Sequence, residues 1–458
     1  MNNIEKYRSL IEQKKHIGEK QGIKPIWIPD TMFDYQAFVT REVIQRGRAA
    51  GYLDTGAGKT FIQLVEAHNY VLHTNKPVLI ITPLAVAFQF LKEAEKFGIP
   101  DVFYSKDGKV RGKIVICNYE RLAHFDPSDY ECVILDESSI LKNDEGKIRE
   151  RVTNFLRKVK YRGLFTATPA PNDYVELGTS SEALGYLGHV DMLTRFFTNK
   201  ENTVDPAFIG TEWRLKPHAE TAFFEWVSSW AISMRKPSDL GFSNKGYEKP
   251  ELIVNEHWVE NKTPLVINGQ YQMFNIVART NQEIQAERRM TIQQRCEKAV
   301  DLASAHETSV YWCNLNPEGD LITQLDKNAV QIKGSQSVDE KEEILLAFAS
   351  GQIKHLVTKP KITGFGLNWQ HCGHTTIFPS FSYEQYYQLI SRFVRFGRKD
   401  PVIADLVFSD GQKRVADALF AKAMKTEQMF ELLSQNVNKD FTIVQKGFDK
   451  EIQLPSFL

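Results

Sequence analysis

Nothing in these 458 residues approaches a run of about 18 consecutive apolar positions, which excludes a membrane-spanning helix. Cysteine is scarce, with five residues (Cys117, Cys132, Cys296, Cys313 and Cys372) and no CxxC pair. A zinc module or a disulfide framework is therefore not expected. Three of the five sit in apolar, strand-like runs, where a thiol serves as a small buried hydrophobe in a reducing compartment. An excess of one charge is missing too: 57 Lys and Arg balance 57 Asp and Glu. That excludes a protein coating nucleic acid through bulk charge. The opening MNNIEKYRSLIEQKKHIGEK lacks the apolar core of a signal peptide, so a cytoplasmic location is expected. No internal repeat or low-complexity tract stands out.

What is present is the composition of an ordinary soluble globular chain, 42% hydrophobic and 25% charged, long enough for two to four domains. Short apolar runs at 49–53, 77–83, 113–119, 131–137 and 161–169 alternate with helix-like stretches. The pattern resumes with runs at 309–315, 328–334, 355–359, 375–379 and 403–408. Strand–helix alternation of this kind predicts parallel sheets covered by helices. Between the two blocks, aromatic residues such as Phe196, Phe197, Phe223, Trp226 and Trp230 predict a mostly helical, buried insertion.

Four elements carry chemistry. LDTGAGKT (53–60) follows an apolar run and precedes a helical stretch. Gly56 and Gly58 let the backbone curl so that its N–H groups cradle a triphosphate, with Thr55 and Ala57 in the same loop. Lys59 would reach the β- and γ-phosphates and Thr60 would hold Mg²⁺. Leu53 departs from the strict eight-residue pattern, and the alternative is an ordinary glycine turn. VILDESS (133–139) ends a hydrophobic strand in two carboxylates. Asp136 would bind the metal shell and Glu137 would activate water, the alternative being a surface acidic pair. TATP (166–169) ends another strand with hydroxyls able to bond those carboxylates. In SYEQYYQLISRFVRFGRKDP (382–401), Gln388, Arg392 and Arg395 fall at i, i+4 and i+7 and so share one helix face. Two guanidiniums beside Leu389, Phe393 and Phe396 would act as arginine fingers, against the alternative of a surface salt-bridge helix. His371, Cys372 and His374 have no second ligand pair at usable spacing, so no metal site is expected there. From Ile140 to Arg162, eight basic residues face three acidic ones, a solvated helix face on its own.

In this order the elements resemble those of superfamily 2 helicases and translocases, most closely the SWI/SNF-like ATPases of compact bacterial or bacteriophage type. Gln36 in FDYQ resembles the adenine-reading glutamine of that family. ITPLAVAFQFLKEAEKF and ICNYERL resemble its nucleic-acid-contacting segments. DESSILKN resembles its acidic motif, with Ser139 where many members carry His. GFGLN (364–368), with Gly364 and Gly366, resembles the second-lobe segment that closes on ATP. The resemblance implies two RecA-like parallel-sheet lobes with ATP and Mg²⁺ in the cleft between them and a helical insertion. The expected division is a helical arm (1–30), lobe 1 (31–176), the insertion (177–255), lobe 2 (256–420) and a C-terminal helix and tail (421–458). It further implies a nucleic-acid-stimulated ATPase moving on duplex or branched DNA in a bacterial or phage-infected cell, with replication or repair proteins as partners. A helicase acting on RNA or single-stranded DNA, and an ATP-dependent switch recruiting partners, are the alternatives. In such motors the basic run after Asp136 lies on or near the DNA side, which turns some of its residues towards phosphate contact.

Overall fold

The computed structural model describes residues 20–142, 146–170, 173–200, 212–261, 266–267, 270–271, 281–363 and 369–443. The chain divides into two units, residues 1–244 with 426–458 and residues 245–425.

The first unit is built on β1 (Arg48–Leu53), β2 (Val78–Thr82), β3 (Val102–Tyr104), β4 (Ile114–Asn118), β5 (Cys132–Asp136) and β6 (Tyr161–Thr166). After a small antiparallel pair, β7 (Phe197–Lys200) with β8 (Glu212–Leu215), comes β9 (Ala231–Met234). β9 joins the main sheet, which runs β3-β4-β2-β5-β6-β1-β9 with every pairing parallel. The central strands are buried along their whole length, as expected where both faces are covered. The five sequence-predicted strands are all present. The short edge strand β3 was not among them, and neither was β9, which lies inside the stretch expected as a helical insertion.

That stretch is drawn into the first unit. Its helices Leu177–Leu184, His189–Phe196 and Glu220–Trp230 bury Phe196, Phe223, Phe224, Trp226 and Trp230 in one core with Tyr52, Leu135 and Leu164. Met429, Phe430 and Leu433, from the later part of the helix Lys413–Ile443, complete it. The buried Arg162 of β6 ties strand to helix: its guanidinium donates to the carbonyls of Arg157, Val159, Ala183 and Leu184. At the other end, residues 20–29 form no helix or strand, and residues 1–19 of the expected arm lie outside the described residues. Gly22 and Ile23 donate to the carbonyls of Gln45 and Ile44. A Cβ on Gly22 would sit 1.8 Å from Ile44 O, so only glycine allows this approach.

The second unit holds β10 (Leu252–Val259), the short pair β11 (Val266–Ile267) and β12 (Gln270–Tyr271), and β13 (Ser309–Trp312). β14 (Ala329–Gln331), β15 (His355–Thr358), β16 (His374–Ile377) and β17 (Val402–Ser409) follow. Six of them make a parallel sheet in the order β10-β17-β16-β13-β15-β14. Each unit is thus a parallel sheet with helices, the α/β architecture expected for the two lobes. All five cysteines are buried free thiols. Among the described residues, no helix is long and apolar enough to cross a membrane.

Candidate nucleotide site

In a parallel sheet every strand delivers its C-terminal end to the same edge, and ligands collect there. β1 ends at Leu53 and passes into the glycine loop, where Gly56 and Gly58 adopt φ of 83° and 82°. These are left-handed conformations that a Cβ would strain. Gly58 caps the helix Lys59–Thr74, so the N–H groups of its first turn open on the loop. Lys59 Nζ folds back to donate to Leu53 O at 3.1 Å and Asp54 O at 3.3 Å. Gln36 is buried against this loop: its Nε2 donates to Ala57 O at 3.0 Å, and its Oε1 accepts from Phe33 N. Tyr35 also donates to Ala57 O, at 3.3 Å. The expected adenine-reading residue therefore braces the glycine loop.

The register pairs Asp136 with Phe165 and Tyr52 with Thr166, which brings β5 and β6 to the edge beside the glycine loop. Asp136 is buried, and both its oxygens accept bonds: Oδ1 from Gln63 Nε2 at 2.8 Å and Oδ2 from Thr82 Oγ1 at 3.0 Å. Burial pushes its carboxyl above the ordinary value, opposed by the Gln63 bond, the Lys59 ammonium and the Thr82 bond. Tyr119 donates its hydroxyl to Asp136 O, holding the strand end from below. Glu137 has φ of 52°, a left-handed conformation costly for a residue with a side chain. Thr166 Oγ1 donates to Glu137 Oε2 at 3.2 Å and accepts from Thr168 N at 3.1 Å. The TATP hydroxyl thus reaches the carboxylate, as its place at a strand end predicts.

The residues fit a hydrated divalent cation. A carboxylate and the Thr60 hydroxyl are oxygen ligands of the type Mg²⁺ prefers. Beside them, Gln63 Oε1, Ser138 Oγ and Thr168 Oγ1 are buried with no hydrogen-bond partner in the protein. Buried polar atoms of this kind normally find a partner. Gln63, Thr82 and Tyr119 were missed from the sequence. Gln63 left one trace, a glutamine one turn beyond Lys59 in an otherwise apolar helical stretch.

In the second unit the helix expected over 382–396 is shorter. It spans Tyr383–Ile390 and ends at Ser391. Trp369 N takes the Arg392 carbonyl at 3.1 Å, removing it from helical pairing. Gln388 therefore lies in the last helical turn, Arg392 in the turn after it, and Arg395 further on, so the single face predicted by i, i+4, i+7 spacing does not form. Arg392 is 2% exposed, its guanidinium 5.6 Å from the Trp312 ring and 5.2 Å from the Trp369 ring. It is no surface salt-bridge residue. Arg395 is half-buried and donates from Nε to Ser391 O at 3.3 Å. Gly364 and Gly366 lie outside the described residues.

His374 and Cys372 have other partners. His374 is held between Asp405 Oδ2 at 2.9 Å and Ser309 Oγ at 2.8 Å, and Cys372 Sγ lies 3.2 Å from His374 O. Among the described residues, no group of three His, Cys, Asp or Glu is placed to hold a metal. Within the basic run, Arg149 pairs with Glu182 at 3.1 Å and Arg162 is buried, while Lys147, Arg151, Arg157, Lys158 and Lys160 are exposed.

Residues 33–177 match the DEAD/DEAH box helicase family. The chain is 29% identical over 220 residues to the uncharacterized ATP-dependent helicase YqhH of Bacillus subtilis (strain 168). That match covers 44% of this chain and 39% of the relative, so the chain spans well under half of the relative's length. Among solved structures, the Sulfolobus solfataricus SWI2/SNF2 ATPase core in complex with dsDNA aligns at a TM-score of 0.42 and 17% identity. The alignment covers 95% of this chain and all of that one.

Proposed function

We propose that this chain, whose residues 33–177 match the DEAD/DEAH box helicase family, is an ATPase that couples hydrolysis to movement on duplex or branched DNA. The observation that carries the reading is the gathering of Lys59, Asp136, Glu137 and Thr166 at one edge of the first sheet.

In this reading the backbone of 55–60 and Lys59 bind the phosphates, and Gln36 sets the loop and the base. Thr60 and Asp136 hold Mg²⁺, which when bound neutralises charge on the phosphate oxygens. Glu137, steadied by Thr166, takes the proton from the attacking water. Gln388, Arg392 and Arg395 serve the same phosphates from the second unit, the arginines stabilising the charge that develops at transfer. Exposed lysines and arginines of the 147–160 run contact DNA phosphates without reading sequence.

The DEAD/DEAH match also favours a second reading, strand separation on RNA or single-stranded DNA. ATP turnover with duplex DNA, branched DNA, single strands and structured RNA separates the two. The proposal expects many-fold stimulation by duplex or branched DNA. Preference for RNA or single strands would favour the second reading, and no stimulation by any of them would overturn both.

A further inference from the structure

Two residues outside the glycine loop hold the Asp136 carboxylate. Gln63 and Thr82 come from different elements, the helix after the glycine loop and the end of β2. Both are fully buried, and each takes one oxygen of the same carboxylate, at 2.8 and 3.0 Å. A carboxylate can only accept, so the Gln63 amide must turn its nitrogen inward. Its Oε1 is thereby left buried with no partner in the protein, which is costly unless a ligand or water supplies a donor.

Two donors from separate elements fix the plane of the Asp136 carboxylate, where one donor would leave it free to swing. Carboxylates that bind metals are commonly held this way, and the holding partner tunes affinity. The Gln63 acceptor adds a place for a donor such as a metal-bound water. We propose that Gln63 and Thr82 form a clamp on Asp136 that sets how strongly the nucleotide site takes up its divalent cation. The inference rests on the ATPase reading above. It makes both residues positioning residues, with a measurable signature of their own.

The test is the affinity for a fluorescent ADP analogue, measured in Mg²⁺ and again in EDTA. Wild type is compared with Gln63→Met, Thr82→Val and Thr82→Ser. Gln63→Met keeps the volume, Thr82→Val keeps the shape without the hydroxyl, and Thr82→Ser keeps the hydroxyl. The clamp predicts that Gln63→Met and Thr82→Val raise the Mg²⁺ concentration needed for tight binding by about 10-fold or more. Affinity in EDTA stays at the wild-type value, and Thr82→Ser restores the metal dependence. A purely structural role would lower affinity equally in Mg²⁺ and EDTA, and that result overturns the proposal, as does an unchanged Mg²⁺ dependence. Should Gln63→Met fail to fold, the Thr82→Val and Thr82→Ser pair decides alone. Wild type that binds no nucleotide in either buffer would sink the ATPase reading and the clamp with it. Wild type that binds, with variants that match it, sinks only the clamp.

Discussion

Glu137 sits at +52° in φ directly after the end of β5, and Thr166 donates to its carboxylate. Strain held by surrounding bonds at a reacting group is a form of preorganisation. Glu137→Gln preserves the shape but removes the base, so nucleotide binding should remain while hydrolysis stops. Lys59→Ala should weaken nucleotide binding and abolish turnover, both read by equilibrium binding and phosphate release. Arg395→Ala is the cleaner test of the second unit and should cut turnover by about 10³-fold, the lower range for an arginine finger. Near-normal rates would remove Arg395 from the mechanism. Arg392→Ala should cost as much in rate, but it also empties a buried place beside Trp312 and Trp369, so its melting temperature must be measured alongside. A further residue-scale effect comes from Glu66, which is buried, faces Gly163 and has its carboxyl pushed up by burial to about 8. Its folded value exceeds its ordinary 4.5, so folding binds a proton and stability falls as pH rises between those values. Glu66→Gln should flatten that decline in melting temperature between pH 5 and pH 8; an unchanged slope would contradict the account.

At the scale of elements, the sequence is most legible where strands are wholly buried. β2, β4 and β5 are apolar runs closed by one polar residue, and Thr82, Asp136 and Thr166 at the ends of β2, β5 and β6 are residues that the site uses. β3 and β9 were not legible: β3 is a partly exposed edge strand of alternating burial, and β9 follows directly on the aromatic helix Glu220–Trp230. The arginine helix misled for a different reason. Its pattern suits a helix through Phe396, yet the helix ends at Ile390 and the distant Trp369 N–H takes the Arg392 carbonyl. A tertiary bond of that kind leaves no mark in local spacing. Arg162 is similar: read among eight basic residues as a candidate phosphate contact, it is spent on four backbone carbonyls. Arg162→Met leaves those buried acceptors without a donor and should destabilise the first unit by about 3 kcal/mol. Urea denaturation checks this, and a loss within experimental error would mean that the clamp between β6 and the 177–184 helix holds by packing alone.

For the whole molecule, the expected two-lobed α/β plan corresponds to two parallel sheets, one of seven strands and one of six. The aromatic stretch before the second lobe is no free-standing module, since its rings share a core with Tyr52 and Leu164 of the first sheet. The candidate site's glycine loop and strand-end carboxylates were legible because each is contiguous in sequence. The support behind Asp136, from Gln63, Thr82 and Tyr119, was not, because those three residues meet it only after the sheet has formed. The most direct test of the central claim is phosphate release by wild type and Glu137→Gln at saturating ATP, with and without duplex DNA. The account predicts a wild-type rate raised many-fold by DNA and a Glu137→Gln rate near zero in both conditions, with nucleotide affinity retained. Hydrolysis by Glu137→Gln at the wild-type rate would contradict it.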